Sequence, residues 1–198
     1  MENLKNYQPH IFAFIIINLL IIGIDNFLSI DIKNIDKPAI VRIVSMPSIA
    51  VLSAYVVNGL LTSEMKFRIV FFKWKNPLPA SRLLKVIKKD SRFEIEQVIE
   101  KFGEIPIDPI KQNAYWYQKI YKINQDKEKI RDAHRNFLMT RDLTAICLIF
   151  FIASIINVIL FSGSINQILI IFIEFFLLRY VASNYGHRLV TTSVAEAV

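Results

Sequence analysis

The sequence predicts an all-α integral membrane protein, with four transmembrane helices in two antiparallel pairs and a helical cytoplasmic insert between the pairs. Three observations carry this. Four long apolar runs lie at about residues 10–30, 39–61, 143–161 and 165–182. Strand-like alternation never persists beyond a few residues. Between the second and third runs, residues 62–142 hold 18 of the 24 Lys/Arg and 11 of the 17 Asp/Glu, so their net charge of +7 equals that of the whole chain.

The hydrocarbon core of a bilayer is ~30 Å thick and takes ~20 helical residues to cross. In lipid, every backbone polar group must be satisfied within the segment, so runs of this length are helices. The residues are 54% hydrophobic, with a mean hydropathy of +0.39. Only five glycines are present, too few for barrel turns or a Gly-rich phosphate loop. The one cysteine, Cys147, cannot form an internal disulfide and reads as a small apolar filler of the third run. The organisation expected is transmembrane helices 1 and 2 in residues 7–61, a basic helical region in 62–142, helices 3 and 4 in 143–182, and a cytoplasmic tail in 183–198.

The first helix is expected from about Tyr7 to Ile30 and reads as retained, because no small-residue cleavage site follows its apolar run. The second, Ala39–Leu61, follows Pro38 and carries Pro47 inside it, which removes a backbone bond and should kink it. Thr62–Lys75 reads as its continuation, with Phe67, Val70, Phe71 and Trp74 as an amphipathic stripe. Asn76-Pro77-Leu78-Pro79 breaks the helix. A short basic helix, Ser81–Lys89, precedes one at Arg92–Phe102 that Gly103 ends. Asp108 and Pro109 read as the N-cap and first turn of an aromatic-rich helix to Asn124. A last insert helix from about Asp126 leads into the third span.

Loops left in the cytoplasm are enriched in Lys and Arg. The basic segment is therefore expected inside, both short connections outside, and both termini cytoplasmic. This bias accounts for the charge without a nucleic-acid ligand, and direct nucleic-acid binding is not expected.

Ionisable groups within spans are costly and face the bundle interior or a partner. Glu174 falls near the middle of helix 4, and Arg179 nearer its cytoplasmic end. Five residues apart, the two project ~140° from each other on an ideal helix and do not pair well. Glu174 is expected to meet a group on another helix, in an assembly contact or a pore of an oligomer, and Arg179 to snorkel to the interface. Asp25 and Arg42, near the outer ends of helices 1 and 2, are placed for an ion pair.

No two of His10, His134 and His187 have metal-ligand spacing, and no cofactor is expected. There is no P-loop, dinucleotide fingerprint, nucleophile elbow or zinc-protease motif, so the expectation is a non-enzyme. His134 and His187 both fall at the inner ends of spans. The basic, aromatic surface could meet anionic lipid or dock a protein or nucleoprotein partner through Trp74, Lys75, Trp116 and Tyr117. For Trp74 an interfacial belt position is the simpler reading.

Three pieces, Phe72-Lys-Trp-Lys-Asn-Pro-Leu-Pro-Ala-Ser-Arg82, His134-Arg-Asn-Phe-Leu-Met-Thr-Arg-Asp142 and Ala182-Ser-Asn-Tyr-Gly-His-Arg-Leu-Val190, resemble small multi-spanning membrane proteins of bacterial anti-phage defence loci, including transmembrane effectors of retrons. They cover about a sixth of the chain. The resemblance implies an inner-membrane effector, held inactive by a partner complex, that perturbs the membrane when released. It also implies an inner-face signature of Lys75, Pro77, Pro79, Arg82, His134, Arg135, Arg141, Asp142, His187 and Arg188, acting in assembly or sensing. The alternatives are a membrane anchor that recruits a cytoplasmic partner, and a small channel or transporter subunit.

Overall fold

The computed structural model describes residues 7–28, 56, 58–161 and 163–198, with side chains for 7–22, 56, 58–160 and 163–198. The Pro47 kink, Arg42 and the side chain of Asp25 lie outside these residues. Among the described residues the fold is all-helical, without a strand.

Two helices form its axis. Helix α7 runs Glu128–Phe161 and α8 runs Ile165–Ala195, of 34 and 31 residues. At 1.5 Å per residue these are rods of about 51 and 46 Å. Both are long and apolar enough to cross a membrane by length and composition. They pair along their length through a tight turn. Ser164 caps α8 by accepting from the Asn166 N–H at 3.3 Å. A Cβ at Gly163 would lie 2.4 Å from the Asn157 amide nitrogen, so a larger residue there would displace that side chain. That amide in turn donates to Gln167 Oε1 at 3.1 Å, tying the two helices at this end.

Helix α1, Gln8–Leu28, lies mainly against α7. Tyr7, Ile11 and Ile15 form one apolar cluster with Ile146, Cys147, Phe150, Ile171 and Phe175. The spacing of four puts Ile11 and Ile15 on one face of α1, in line with Tyr7 just before it.

The remaining elements wrap the other ends of α7 and α8. Helix α2 is Ser63–Phe71, and a 3₁₀ turn at Pro79–Arg82 leads into α3, Leu83–Ile87. Helix α4 is Ile95–Phe102 and α5 is Pro109–Tyr115. A π turn, Trp116–Tyr121, and α6, Lys122–Asn124, complete the insert. Gly103 ends α4 at φ 83°, a left-handed conformation that suits glycine. Asp108 caps α5 by accepting from the N–H of Ile110 and Lys111 at 3.0 and 2.9 Å, and Pro109 opens it, as the sequence predicts.

Three differences from the sequence reading have local causes. Thr62–Lys75 does not continue the preceding helix. Thr62 is extended (φ −62°, ψ 154°), and its hydroxyl accepts from Met65 N–H, so it starts a new helix. The apolar stripe ends at Phe71, because Phe72 turns left-handed (φ 48°) and leaves Trp74 80% exposed. Residues 183–198 are not a free tail. Helix α8 continues to Ala195, and Leu189, Val190 and Val194 are buried in the core of the insert.

That second core joins Val70 and Phe71 of α2, Leu83 and Ile87 of α3, Val98 of α4 and Ile120 of the π turn to the last turns of α8. The π turn brings Trp116 and Tyr121 into a stacked pair with centroids 5.0 Å apart. Trp116 Nε1 donates to Ser193 Oγ at 3.0 Å, 77 residues away in the chain. Gly186 lets α8 approach closely here. A Cβ would lie 2.7 Å from Phe71 Cζ and 2.9 Å from Phe137 Cε2.

Candidate functional site

Polar side chains of interest fall at three levels along α7 and α8. The first is inside the apolar cluster. Glu174 of α8 is half-buried, and the Cys147 thiol of α7 donates to Glu174 Oε2 and to the Ile171 carbonyl, both at 3.8 Å. Asn18 of α1, fully buried, lies beside the same carboxyl. Three helices therefore converge on one carboxyl group. Cys147 is more than a filler, since it is one of the contacts of Glu174.

Glu174 and Arg179 form no ion pair, as their angular separation predicts. Arg179 instead lies over the Phe72 ring, with its Cζ 3.7 Å from the centroid. Phe72 also packs against Phe175 and Phe176 at 6.3 and 6.2 Å. The left-handed turn at Phe72 thus presses the start of the basic region against the lower end of the apolar half of α8.

The second level is a buried charged junction. Asp142 of α7 receives the Tyr7 hydroxyl on Oδ2 at 3.0 Å. On Oδ1 it meets Lys66 Nζ of α2 at 3.3 Å and Arg141 Nη2 and Nε at 2.8 and 3.0 Å. Tyr7, Lys66, Arg141 and Asp142 are each less than a tenth exposed. The Arg141 guanidinium also lies 5.3 Å from the Phe67 ring centroid. Removing charges from water is costly and is offset here by close pairing and hydrogen bonding. This junction fastens the beginning of α1, the middle of α7 and α2 at one point.

The third level is a cleft of about 420 Å³ beside the last turns of α8. Its walls carry Lys73, Arg82, Lys85, Lys89, His187 and Arg188, with Asp90 and Thr191. Arg82 ends the 3₁₀ turn, Lys85 lies on α3 and Lys89 in the turn after it, and all three line the cleft. Arg92 holds Asp90 in a salt bridge at 2.6 Å, and its hydrogen bonds keep that carboxyl low, at about 2. Arg92 also reaches Thr191 Oγ1 at 2.8 Å, closing one side of the cleft. Burial, with Arg82 and Lys89 nearby, pushes His187 below its ordinary range. Its ring lies 5.7 Å from that of Phe71.

The inner-face signature is thus divided. Arg82, His187 and Arg188 meet in the cleft, and Arg141 and Asp142 form the junction. His134 takes a different partner from His187. Its Nδ1 hydrogen-bonds the Tyr121 hydroxyl at 2.7 Å, and burial, then Arg141, holds it down at about 4. Arg135 pairs with Asp132 at 2.9 Å on the surface. Pro77 and Pro79 are buried in the turn before α3. Lys75 and Trp74 are exposed, and the Arg68 guanidinium lies 5.8 Å from the Trp74 ring. Trp116 is only 7% exposed and belongs to the core, which removes it as a docking anchor. Tyr117 stays 48% exposed.

The residues missed from sequence are Tyr7, Lys66, Asn18, Lys73, Lys85 and Lys89. Only the last two carried a legible signal, their place with Arg82 in one short basic stretch. Among the described residues no cluster of three or more His, Cys, Asp or Glu could hold a metal ion. No family profile matches this chain, and neither does any curated protein or solved structure.

Proposed function

We propose that this chain is a multi-span membrane protein whose basic helical region lies in the cytoplasm and controls the bundle above it. The spans are α1, the apolar run 39–61, and the apolar halves of α7 and α8. One observation carries the reading: α7 and α8 each pass unbroken from an apolar half with outward-facing Ile, Leu and Phe into a half packed by the basic region. Leu169, Ile173 and Leu177 are 55, 59 and 62% exposed. Large contiguous apolar surface of this kind marks a lipid or partner contact. A change at the basic end is transmitted along rigid rods to Glu174 without any flexible joint.

On this reading the protein is a regulated inner-membrane effector, in keeping with the resemblance to anti-phage defence proteins. It acts as an oligomer in which Glu174 faces the bundle, and a cytoplasmic protein or nucleoprotein partner restrains it. It performs no catalysis of its own. Exposed Trp74 and Lys75 favour a second reading, an anchor that recruits a cytoplasmic partner without altering the membrane.

Induced expression in bacteria with a membrane-potential dye separates the two. The effector reading predicts rapid depolarisation that Glu174→Leu abolishes at equal protein level in the membrane fraction. Normal potential and growth, in the absence of any partner, would sink it in favour of the anchor. Recovery of the wild-type protein in the soluble fraction would overturn both.

A further inference from the structure

We propose that the cationic cleft between α3 and the end of α8 binds a phosphate group carrying at least two negative charges. Five basic side chains reach it from three places in the chain: Lys73 after α2, Arg82, Lys85 and Lys89 just before, on and just after α3, and Arg188 on α8. Among the described residues, no carboxylate lies within ion-pair distance of any of the five. The single carboxylate in the wall, Asp90, is occupied by Arg92 on both oxygens, at 2.6–3.2 Å.

Like charges brought this close repel one another. The fold nevertheless concentrates them, and in a concavity rather than on a convex solvated face. A concave site lined by one sign of charge focuses its field and raises the local concentration of counter-ions. Two of the five are arginines, whose planar fork matches phosphate oxygens bidentately. Lysines supply point charges to the same group. Thr191 Oγ1, at the rim, can hydrogen-bond a phosphate oxygen as well.

Position narrows the ligand further. Lys73 directly follows Phe72, whose ring packs on Phe175, Phe176 and Arg179 at the lower end of the apolar half. The cleft therefore opens just below that boundary. A phosphomonoester there has two sources, a phospholipid headgroup or a soluble phosphate ester. Because the cleft has one wall on α3 and the other on α8, either would clamp the insert onto the rod that carries Glu174. The binding itself does not depend on the effector reading; only the lipid source depends on the membrane reading.

The test uses the full chain, purified in neutral detergent and then placed in nanodiscs of phosphatidylcholine alone or with phosphatidic acid. Thermal unfolding is followed as sodium pyrophosphate is added at constant ionic strength. A saturable rise in melting temperature is expected. The pair Lys85→Gln with Lys89→Gln should weaken the apparent affinity by about tenfold or more, equivalent to about 1.4 kcal/mol. Arg188→Gln serves as a second variant on the opposite wall. The pair Lys111→Gln with Lys122→Gln, exposed outside the cleft, should leave the response unchanged. If phosphatidic acid alone raises the melting temperature and blunts the pyrophosphate response, the source is lipid. If the response persists beside phosphatidic acid, it is a soluble ester. An equal shift with matched sodium chloride, or an undiminished response in both cleft variants, overturns the proposal.

Discussion

The two halves of α8 expose different side chains, although both bury apolar ones: Ile171 and Phe175 in the first, Leu189, Val190 and Val194 in the second. Toward its start, Gln167 is 3% exposed while Ile173 and Leu177 are 59 and 62% exposed. Toward its end, Leu189 and Val190 are 3 and 0% exposed, while Arg188 is left open to the cleft. The same change of exposed surface runs through the neighbours. In α1 the polar Asn18 is fully buried beside Ile15, and Ile16, Ile17 and Leu20 face outward. In the insert, Leu83 and Ile87 are inside and Lys85, Lys88 and Lys89 outside. On the membrane reading proposed above, one continuous helix changes solvent partway along, near Arg179. Polar groups turned inward and apolar groups turned outward suit lipid; the reverse arrangement suits water.

The junction at Asp142 lies between the halves, and breaking it has the largest expected effect. Asp142→Ala removes the carboxylate on which Lys66, Arg141 and Tyr7 converge. The expected loss is about 3–5 kcal/mol, because the cations stay buried without it. Thermal unfolding in detergent should register this, and adding Lys66→Met should recover part of the loss.

A pair of leucines on one helix sharpens the comparison directly. Leu189→Ala should cost about 2–5 kcal/mol, as for a buried core leucine. Leu177→Ala should change stability in micelles by less than about 0.5 kcal/mol. Equal costs would mean that both ends pack against protein alike.

Smaller effects come from hydrogen bonds of the basic half. Trp116→Phe keeps most of the buried ring but loses the donor to Ser193, for about 1 kcal/mol by the same unfolding measurement. His134 adds a pH dependence. Its folded-state value of about 4 lies below the ordinary 6.5, so the unfolded chain takes up the proton first as pH falls. Stability is full above about 6.5 and is lost as pH drops toward 4. His187 is shifted the same way and adds to the slope. A melting-temperature series over that range should flatten in His134→Gln and flatten further when His187→Gln is added.

How much of this was legible in the sequence depended on the range of the interaction. Asp108, Pro109 and Gly103 act on their own backbone neighbours, and their roles are read from type and position alone. The break at Thr62 is hidden because hydropathy does not register a cap, although Thr followed by Ser-Glu is a helix-start signal. The fate of residues 183–198 was lost for a different reason. Hydropathy falls after Ala182, yet Leu189, Val190 and Val194 keep helical spacing and find their core in the insert. The meeting of Tyr7 with Asp142, 135 residues apart, has no local signature at all. The cleft was half legible: Arg82, Lys85 and Lys89 define a basic stretch, but only the return of α8 supplies the opposite wall.

The change of exposed surface along α8 is tested most directly by site-directed spin labelling in reconstituted bilayers. Cys147 is replaced by serine, and single cysteines are placed at Leu169, Ile173, Leu177, Asn184 and Arg188. Collisions with oxygen, which concentrates in lipid, are compared with collisions with a neutral nickel chelate, which stays in water. The account predicts that oxygen dominates at the first three positions and the chelate at the last two, with the crossover near Arg179. Equal chelate access at Ile173, Leu177 and Arg188 would contradict it, because the outward apolar face would then lie in water.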